Sequence, residues 1–272
     1  MLRLRCITDT TIPIEAECLT PDFLAGKSND EIANLPVFHG NREEKLGEFF
    51  AIEGDCNDGD LVLEGDCSRV KLVGAGMATG RLTIDGDVGM HLGAEMTGGE
   101  IRVHGNAGDW VGAEMRGGRI HVHGNAGHLV GGAYRGSRRG MRGGVLLIDG
   151  NAGNEIGGVM RRGLIAIGGN TGDFTGVSMI AGSVFVFGRP GIRTGAGMKR
   201  GSIVAFAEEL PLLPTFRYDC EYFPTFVRIY LHQLIDWGFA QAEPHLGACF
   251  RRFSGDIVSL GQGEILHRSP DA

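Results

Sequence analysis

Residues 81–99 read RLTIDGDVGMHLGAEMTGG and residues 100–118 read EIRVHGNAGDWVGAEMRGG. Set one above the other, the two blocks share glycine at Gly86 and Gly105, Gly89 and Gly108, Gly93 and Gly112, and methionine at Met96 and Met115. The same G-x-x-G-x-x-x-G pattern starts at Gly86, Gly105, Gly124, Gly150, Gly169 and Gly188, at intervals of 19, 19, 26, 19 and 19 residues. A pattern that recurs in this way marks a repeat architecture. The long interval holds an insertion around Gly132 to Arg139, and a weaker copy precedes the array at Leu61–Gly80.

Each phase of the repeat has a physical identity. Four residues before the first glycine stand Leu82, Ile101, Ile120, Leu146, Ile165 and Val184, and two before it stand Ile84, Val103, Val122, Ile148, Ile167 and Val186. The residues between them (Thr83, Arg102, His121, Leu147, Ala166, Phe185) are mixed. Alternation of this kind, rich in β-branched residues, predicts one half-buried strand per copy. Asp87, Asn106, Asn125, Asn151, Asn170 and Arg189 follow the glycine as a turn-forming phase. Val88, Ala107, Ala126, Ala152, Thr171 and Pro190 are a small inward phase, and Met96, Met115, Met160, Met179 and Met198 a core-filling one. In the copy that starts at Gly124 either Tyr134 or Met141 fills the methionine slot. A helix could not carry glycine at three fixed phases of every copy, at about 1 kcal/mol each. The predicted fold is therefore all-β: a right-handed parallel β-helix with 19-residue coils.

A solenoid needs covered ends. Thr11–Leu19 alternates as a strand and Ser28-Asn29-Asp30-Glu31 is a capping box. Pro224 is placed to open a helix to about Trp237, with Phe223, Val227, Tyr230, Leu231 and Leu234 on one face and Gly238 to end it. The expected division is an N-terminal α+β cap over 1–50, the Gly-rich array over 51–205, and a C-terminal helical cap and tail over 206–272.

The 272 residues carry a formal charge of -7, which argues against nucleic acid or an anionic membrane as the main partner. The amino terminus lacks the apolar run of a signal peptide, so a cytoplasmic protein is expected. Six cysteines (Cys6, Cys18, Cys56, Cys67, Cys220, Cys249) show no metal or disulfide spacing and read as free thiols. The glycines lack P-loop or Rossmann context. His104 and His123, flanked by Asp85 and Asp149 with His121 nearby, form a His/Asp ladder at strand spacing that could bind a metal; the favoured reading is a solvated polar row, and no metal site is assigned. No nucleophile or acid–base pair can be assigned, and no catalytic residue is expected in this chain.

One corner of the array stands out by charge. Arg116, Arg135, Arg161 and Lys199 share the phase after the methionine, and the insertion adds Arg138 and Arg139, with Arg142 just beyond. Rungs about 4.8 Å apart would array these cations along a line. They are the candidate binding residues.

The array resembles the β-helix domain at the C-terminal end of the glutamate synthase large subunit. The flanks narrow the resemblance: Pro13-Ile14-Glu15-Ala16-Glu17, Thr20-Pro21-Asp22, Ala25-Gly26-Lys27-Ser28, Glu43 through Gly54, Ser254-Gly255-Asp256 and Gly261 through Leu266 are similar to the C subunit of the formylmethanofuran dehydrogenase family. That family occurs in two settings. One is an archaeal tungsten or molybdenum dehydrogenase. The other is a bacterial formyltransferase/hydrolase complex, which moves a formyl group from tetrahydromethanopterin to a methanofuran analogue and hydrolyses it to formate. With 22 Arg against four Lys, the composition favours the bacterial setting. The resemblance implies a noncatalytic structural subunit that binds no cofactor alone. Its implied partners are amidohydrolase-like, formyltransferase and pterin-subunit-like chains. It also implies that the basic corner meets either the polyglutamate tail of a methanofuran-type cofactor or an acidic patch of a partner. A stand-alone glutamate-synthase-like or carbohydrate-active β-helix protein is the alternative.

Overall fold

The computed structural model describes residues 1–270; the last two residues of the expected C-terminal segment lie outside them. Before the array come β1 (Leu2–Cys6), β2 (Ile14–Glu15), α1 (Pro21–Leu24), α2 (Asn29–Ala33), β3 (Pro36–His39), β4 (Arg42–Lys45) and β5 (Phe50–Glu53). The array supplies β6 (Asp60–Glu64), β7 (Val70–Lys71), β8 (Arg81–Asp85), β9 (Glu100–Val103), β10 (Arg119–Val122), β11 (Val145–Ile148), β12 (Leu164–Ile167), β13 (Ser183–Val186) and β14 (Arg200–Ala205). After it come β15 (Arg217–Tyr222), α3 (Thr225–Asp236), a 3₁₀ segment at Ala240–His245, β16 (Phe250–Gly255) and β17 (Gln262–Arg268).

The protein is mostly β. Its larger sheet runs β15-β16-β17-β14-β13-β12-β11-β10-β9-β8-β6-β1-β5, and β4-β3-β2-β7 form a smaller one. From β6 to β14 every neighbour is parallel and in register. Ile84, Val103, Val122, Ile148, Ile167 and Val186 therefore stack as one ladder, each fully buried. Leu82, Ile101, Ile120, Leu146, Ile165 and Val184 form a second beside it. The small phase makes further parallel bridges, Cys67 to Val88 to Ala107 to Ala126 and Ala152 to Thr171. The core also takes the methionine phase, with Met77, Met96, Met115, Met141, Met160, Met179 and Met198 all buried.

Glycine serves two distinct needs within one copy. At Gly124 a Cβ would come 2.5 Å from the Gly105 carbonyl oxygen of the rung below, so the backbone approach itself excludes a side chain. Gly131 has φ +67°, and a Cβ there would meet Ile165 Cδ1 at 2.6 Å. A left-handed backbone also recurs at residues that are not glycine: His91, Trp110, Leu129, Glu155, Phe174 and Arg193 all have φ near +60°, from 60° to 67°. Such a conformation is costly for an L-residue. At all of these but Arg193 the amide donates to a carbonyl of the next rung, as in Trp110 N–H to the His128 carbonyl (2.8 Å) and Glu155 N–H to the Asp173 carbonyl (2.8 Å).

At the ends, sequence and structure part in places. The Ser28–Glu31 capping box opens α2 as expected. The strand expected over Thr11–Leu19 contracts to Ile14–Glu15, because Pro13 has no amide to donate and the hydroxyls of Thr8 and Thr10 capture the amides of Thr10 and Ile12. The expected helix forms as α3, burying Val227, Leu231 and Leu234 and stopping before Gly238 at φ +85°. Phe223 is instead 68% exposed, because it lies ahead of Pro224, outside the helical turn that would have faced it inward. The segment after the array is also not purely helical: β17 pairs in parallel with β14, and β16 and β15 continue antiparallel beyond it.

The outward phase of the sheet follows this covering layer. It is exposed at Arg102 but buried at Leu147, Ala166, Phe185 and Val204. These pack in a second core with Val227, Leu231 and Leu234 of α3 and with Phe239. Strands covered on both faces are apolar on both faces. Among the described residues no helix is long and apolar enough to cross a membrane.

Candidate functional site

The insertion decides the geometry of the basic corner. Met141, not Tyr134, takes the core methionine slot, since Met141 N–H donates to the Gly131 carbonyl (2.9 Å) and the chain resumes the ladder there. Arg142 N–H then bonds to the Met115 carbonyl (2.7 Å) and Arg161 N–H to the Met141 carbonyl (2.8 Å). The rung order along the corner is therefore Thr97, Arg116, Arg142, Arg161, Ile180, Lys199. Arg135 leaves this phase and lies in the inserted loop, where its side chain is exposed.

The structure brings together only part of the expected cation row. Arg161 Nη2 donates to the Arg138 carbonyl oxygen at 3.5 Å, joining the rung to the inserted loop. Arg142 lies between Arg116 and Arg161 in the stack, and its Nε is buried without a hydrogen-bond partner. Arg139 N–H bonds to Ser137 Oγ at 3.3 Å, which shapes the loop tip. Arg116, by contrast, is paired with Glu95 at 2.7 Å. Lys199 stands two rungs beyond Arg161, with Ile180 between, about 10 Å along the stack at the usual strand spacing. Arg135, Arg138, Arg139, Arg142, Arg161 and Lys199 make no ion pair among the described residues. The unpaired charge is therefore concentrated at the insertion.

The loop also builds an aromatic face that the repeat pattern did not announce. Tyr134 folds back over two earlier copies, stacking on Trp110 with ring centroids 5.0 Å apart and lying 5.6 Å from His91. Its hydroxyl is 3.0 Å from His91 Nδ1, and its amide donates to Glu114 Oε1 at 3.1 Å. Burial, with the nearby Glu95, Glu114 and Glu17 carboxylates, pushes the Tyr134 phenol up to about 12. Burial, with Lys71 nearby, lowers the His91 imidazole. The pair is therefore held as neutral phenol and neutral imidazole. Glu15, Glu17 and Glu95 line the adjoining cleft with Tyr134 and His91. A basic loop tip thus sits beside an acidic, aromatic-walled cleft. The signal in the sequence was that the one long interval carries both Tyr134 and four arginines.

Such a surface can bind charged groups, and it holds no assigned acid, base or nucleophile aimed at a common point. Comparison with known proteins then places the chain. No family model matches the sequence. The C subunit of molybdenum-containing formylmethanofuran dehydrogenase 1 from Methanothermobacter marburgensis is 48% identical over 86 residues, which are 31% of this chain and 22% of that protein. The C subunit of tungsten-containing formylmethanofuran dehydrogenase 2 from Methanothermobacter thermautotrophicus is 42% identical over 85 residues, 30% of this chain and 32% of that protein. The matched segment spans less than a third of either relative's length. Full-length similarity comes from a solved structure, the formyltransferase/hydrolase complex FhcABCD of Methylorubrum extorquens in complex with methylofuran. One chain of it matches with a TM-score of 0.90 at 37% identity, covering 98% of this chain and 99% of that one. On that end-to-end likeness, and on the relatives that share its sequence, this chain belongs to the family of formylmethanofuran dehydrogenase C subunits.

Proposed function

We propose that this chain is the noncatalytic structural subunit of a formyltransferase/hydrolase complex. The complex moves a formyl group from tetrahydromethanopterin to a methanofuran analogue and hydrolyses it to formate. The observation that carries the reading is the 37% identity over nearly the whole of a chain from such a complex. The dehydrogenase relatives match only a third of this chain or less, which favours the formyltransferase/hydrolase setting. Amidohydrolase-like, formyltransferase and pterin-subunit-like chains are the partners this reading requires, in the cytoplasm.

The proposed scaffold is a right-handed β-helix. Support comes from the in-register parallel ladder β6 to β14, the parallel bridges of the small phase, and the rung-to-rung amide bonds at the left-handed corner. The proposed division remains 1–50, 51–205 and 206–272. A stiff rod of this kind offers long faces to partners while its core stays closed.

In this reading Arg138, Arg139, Arg142 and Arg161 anchor the glutamate carboxylates of the cofactor tail, with Arg135 and Lys199 as outlying contacts and Arg116 kept by Glu95. Guanidinium groups suit carboxylates because they bind them bidentately. Single exposed pairs contribute only about 0–1 kcal/mol, so the cluster is what matters. The test of function is a deletion: without this chain, yield of the assembled complex falls, and the isolated chain neither transfers nor hydrolyses formyl groups. Turnover by the isolated chain at the rate of the complex would overturn the reading.

A further inference from the structure

Away from the basic corner, three side chains able to ligate a metal converge on the outer face of the large sheet. His121 and His123 are two residues apart on β10 and just after it, so they project from the same face. Asp149 follows β11 on the next rung. His121 Nε2 lies 2.9 Å from Asp149 Oδ1, and His123 Nδ1 lies 2.7 Å from Asp149 Oδ2. One donor atom from each of the three falls within 4.8 Å of the others.

The surroundings differ from those of a solvated polar row. His121 is only 5% exposed and its ring sits 6.4 Å from that of Phe239, at the edge of the apolar layer laid down by the C-terminal segment. That layer is tied to the same place by Gln241, whose Nε2 donates to the Asp149 carbonyl at 3.3 Å. His104, one rung earlier, has its ring 5.7 Å from that of His123 but is committed to another carboxylate: its Nδ1 bonds Asp85 at 2.8 Å. The row therefore divides into an ordinary exposed His–Asp pair and a half-buried group of two imidazoles about one carboxylate.

We propose that His121, His123 and Asp149 form a binding site for one divalent transition-metal ion of the zinc type. Two imidazole nitrogens and one carboxylate oxygen are a donor set used for zinc with a fourth position left to water. Here the exposed side of His123 leaves that position open. Ligands about 2.0–2.2 Å from a tetrahedral ion lie about 3.3–3.5 Å from one another; the two imidazole nitrogens now stand 2.9 and 2.7 Å from different oxygens of Asp149, and one donor atom from each residue lies within 4.8 Å of the others, so every pair is within about 1.5 Å of the bound spacing. Nitrogen donors favour zinc, cobalt or nickel over calcium or magnesium. On binding, each neutral ring keeps its proton on the other nitrogen, Nδ1 of His121 and Nε2 of His123. The ion would fasten β10 to the loop after β11 where the C-terminal layer meets the sheet. This inference does not depend on the formyl-transfer reading.

The test uses the full chain without a histidine tag, stripped with chelator and titrated with Zn²⁺ by calorimetry and with Co²⁺ by visible absorption. The expected result is one saturable equivalent and a raised thermal midpoint. His123→Ala and Asp149→Ala should each weaken binding by at least about the tenfold that loss of even an outer-shell partner costs, whereas His104→Ala leaves it unchanged. His123 lies on the surface, so its variant carries the test if Asp149→Ala does not fold. Absence of saturable binding to the wild-type chain, binding by His123→Ala equal to wild type, or an equal loss in His104→Ala would each overturn the proposal.

Discussion

Asn106 holds Asn125 twice: its Oδ1 accepts the Asn125 backbone N–H at 2.9 Å and the Asn125 side-chain amide at 3.1 Å. Asn125 in turn accepts from Asn151 at 2.8 and 3.2 Å, and Asp87 begins the series by accepting from Asn106. The first polar phase of the repeat is thus a ladder that satisfies one backbone amide per rung with the preceding side chain. It spans the insertion unbroken.

Asn125→Ala removes the acceptor of the Asn151 amide and a donor to Asn106. The expected loss is about 1 kcal/mol, that of a hydrogen bond at a partly solvated site. Asn125→Asp keeps the acceptor and should lose less. Denaturant unfolding of the two variants against wild type checks both.

Glu155 has φ +60°, is exposed and makes no side-chain bond among the described residues. Glu155→Gly should therefore raise stability, by up to about 1 kcal/mol, because glycine alone takes this backbone without cost. Glu155→Val should lower it, since a β-branched residue tolerates positive φ worst. Thermal midpoints in the order Gly, Glu, Val are the expected outcome.

Much of the array was legible because every copy repeats the same physical demands. Ile84 and Val103, nineteen residues apart, had to share a register once the glycines fixed the period. The register through the insertion was not legible: Tyr134 follows Gly124 by the ordinary spacing, and only the Met141-to-Gly131 bond shows that the chain loops out and re-enters later. That shift moved Arg135 off the cation row and put Arg142 on it. Among the C-terminal strands that were missed, β15, RYDCEY, is an exposed edge with no buried alternation to read. The His121, His123 and Asp149 group was legible as a His/Asp ladder but not as a half-buried one; its burial comes from Phe239, far away in sequence.

Asp256 gives a pH dependence. Burial opposes its ionisation, but the amides of Gly197 (2.9 Å) and Val258 (3.1 Å) donate to its carboxylate and outweigh that, so its affinity for protons is lowered. A carboxyl that ionises more readily when folded adds stability above its unfolded value, about 3.9, and loses it as pH falls through the folded one. Asp256→Asn should destabilise the chain at pH 7 and flatten the fall in stability below about pH 4. Unfolding measured from pH 7 to pH 3 tests the difference.

Arg138→Ala, Arg139→Ala and Arg142→Ala combined should release the methanofuran-type cofactor from the purified complex while the stoichiometry of its subunits stays intact. Cofactor quantified by mass spectrometry beside the complex's sedimentation profile separates the outcomes. Intact cofactor with failed assembly would assign the corner to an acidic partner surface. No change in either would leave it a solvated edge.

We propose that this chain works as part of a formyl-transferring assembly. The most direct measurement is affinity purification of the chromosomally tagged chain from its own cells, followed by identification and stoichiometry of everything that comes with it. The expected eluate holds amidohydrolase-like, formyltransferase and pterin-subunit-like chains in fixed ratio with this chain, with formyl transfer and formate release. Elution of the chain alone, or with iron–sulfur subunits of a dehydrogenase, would overturn the proposal.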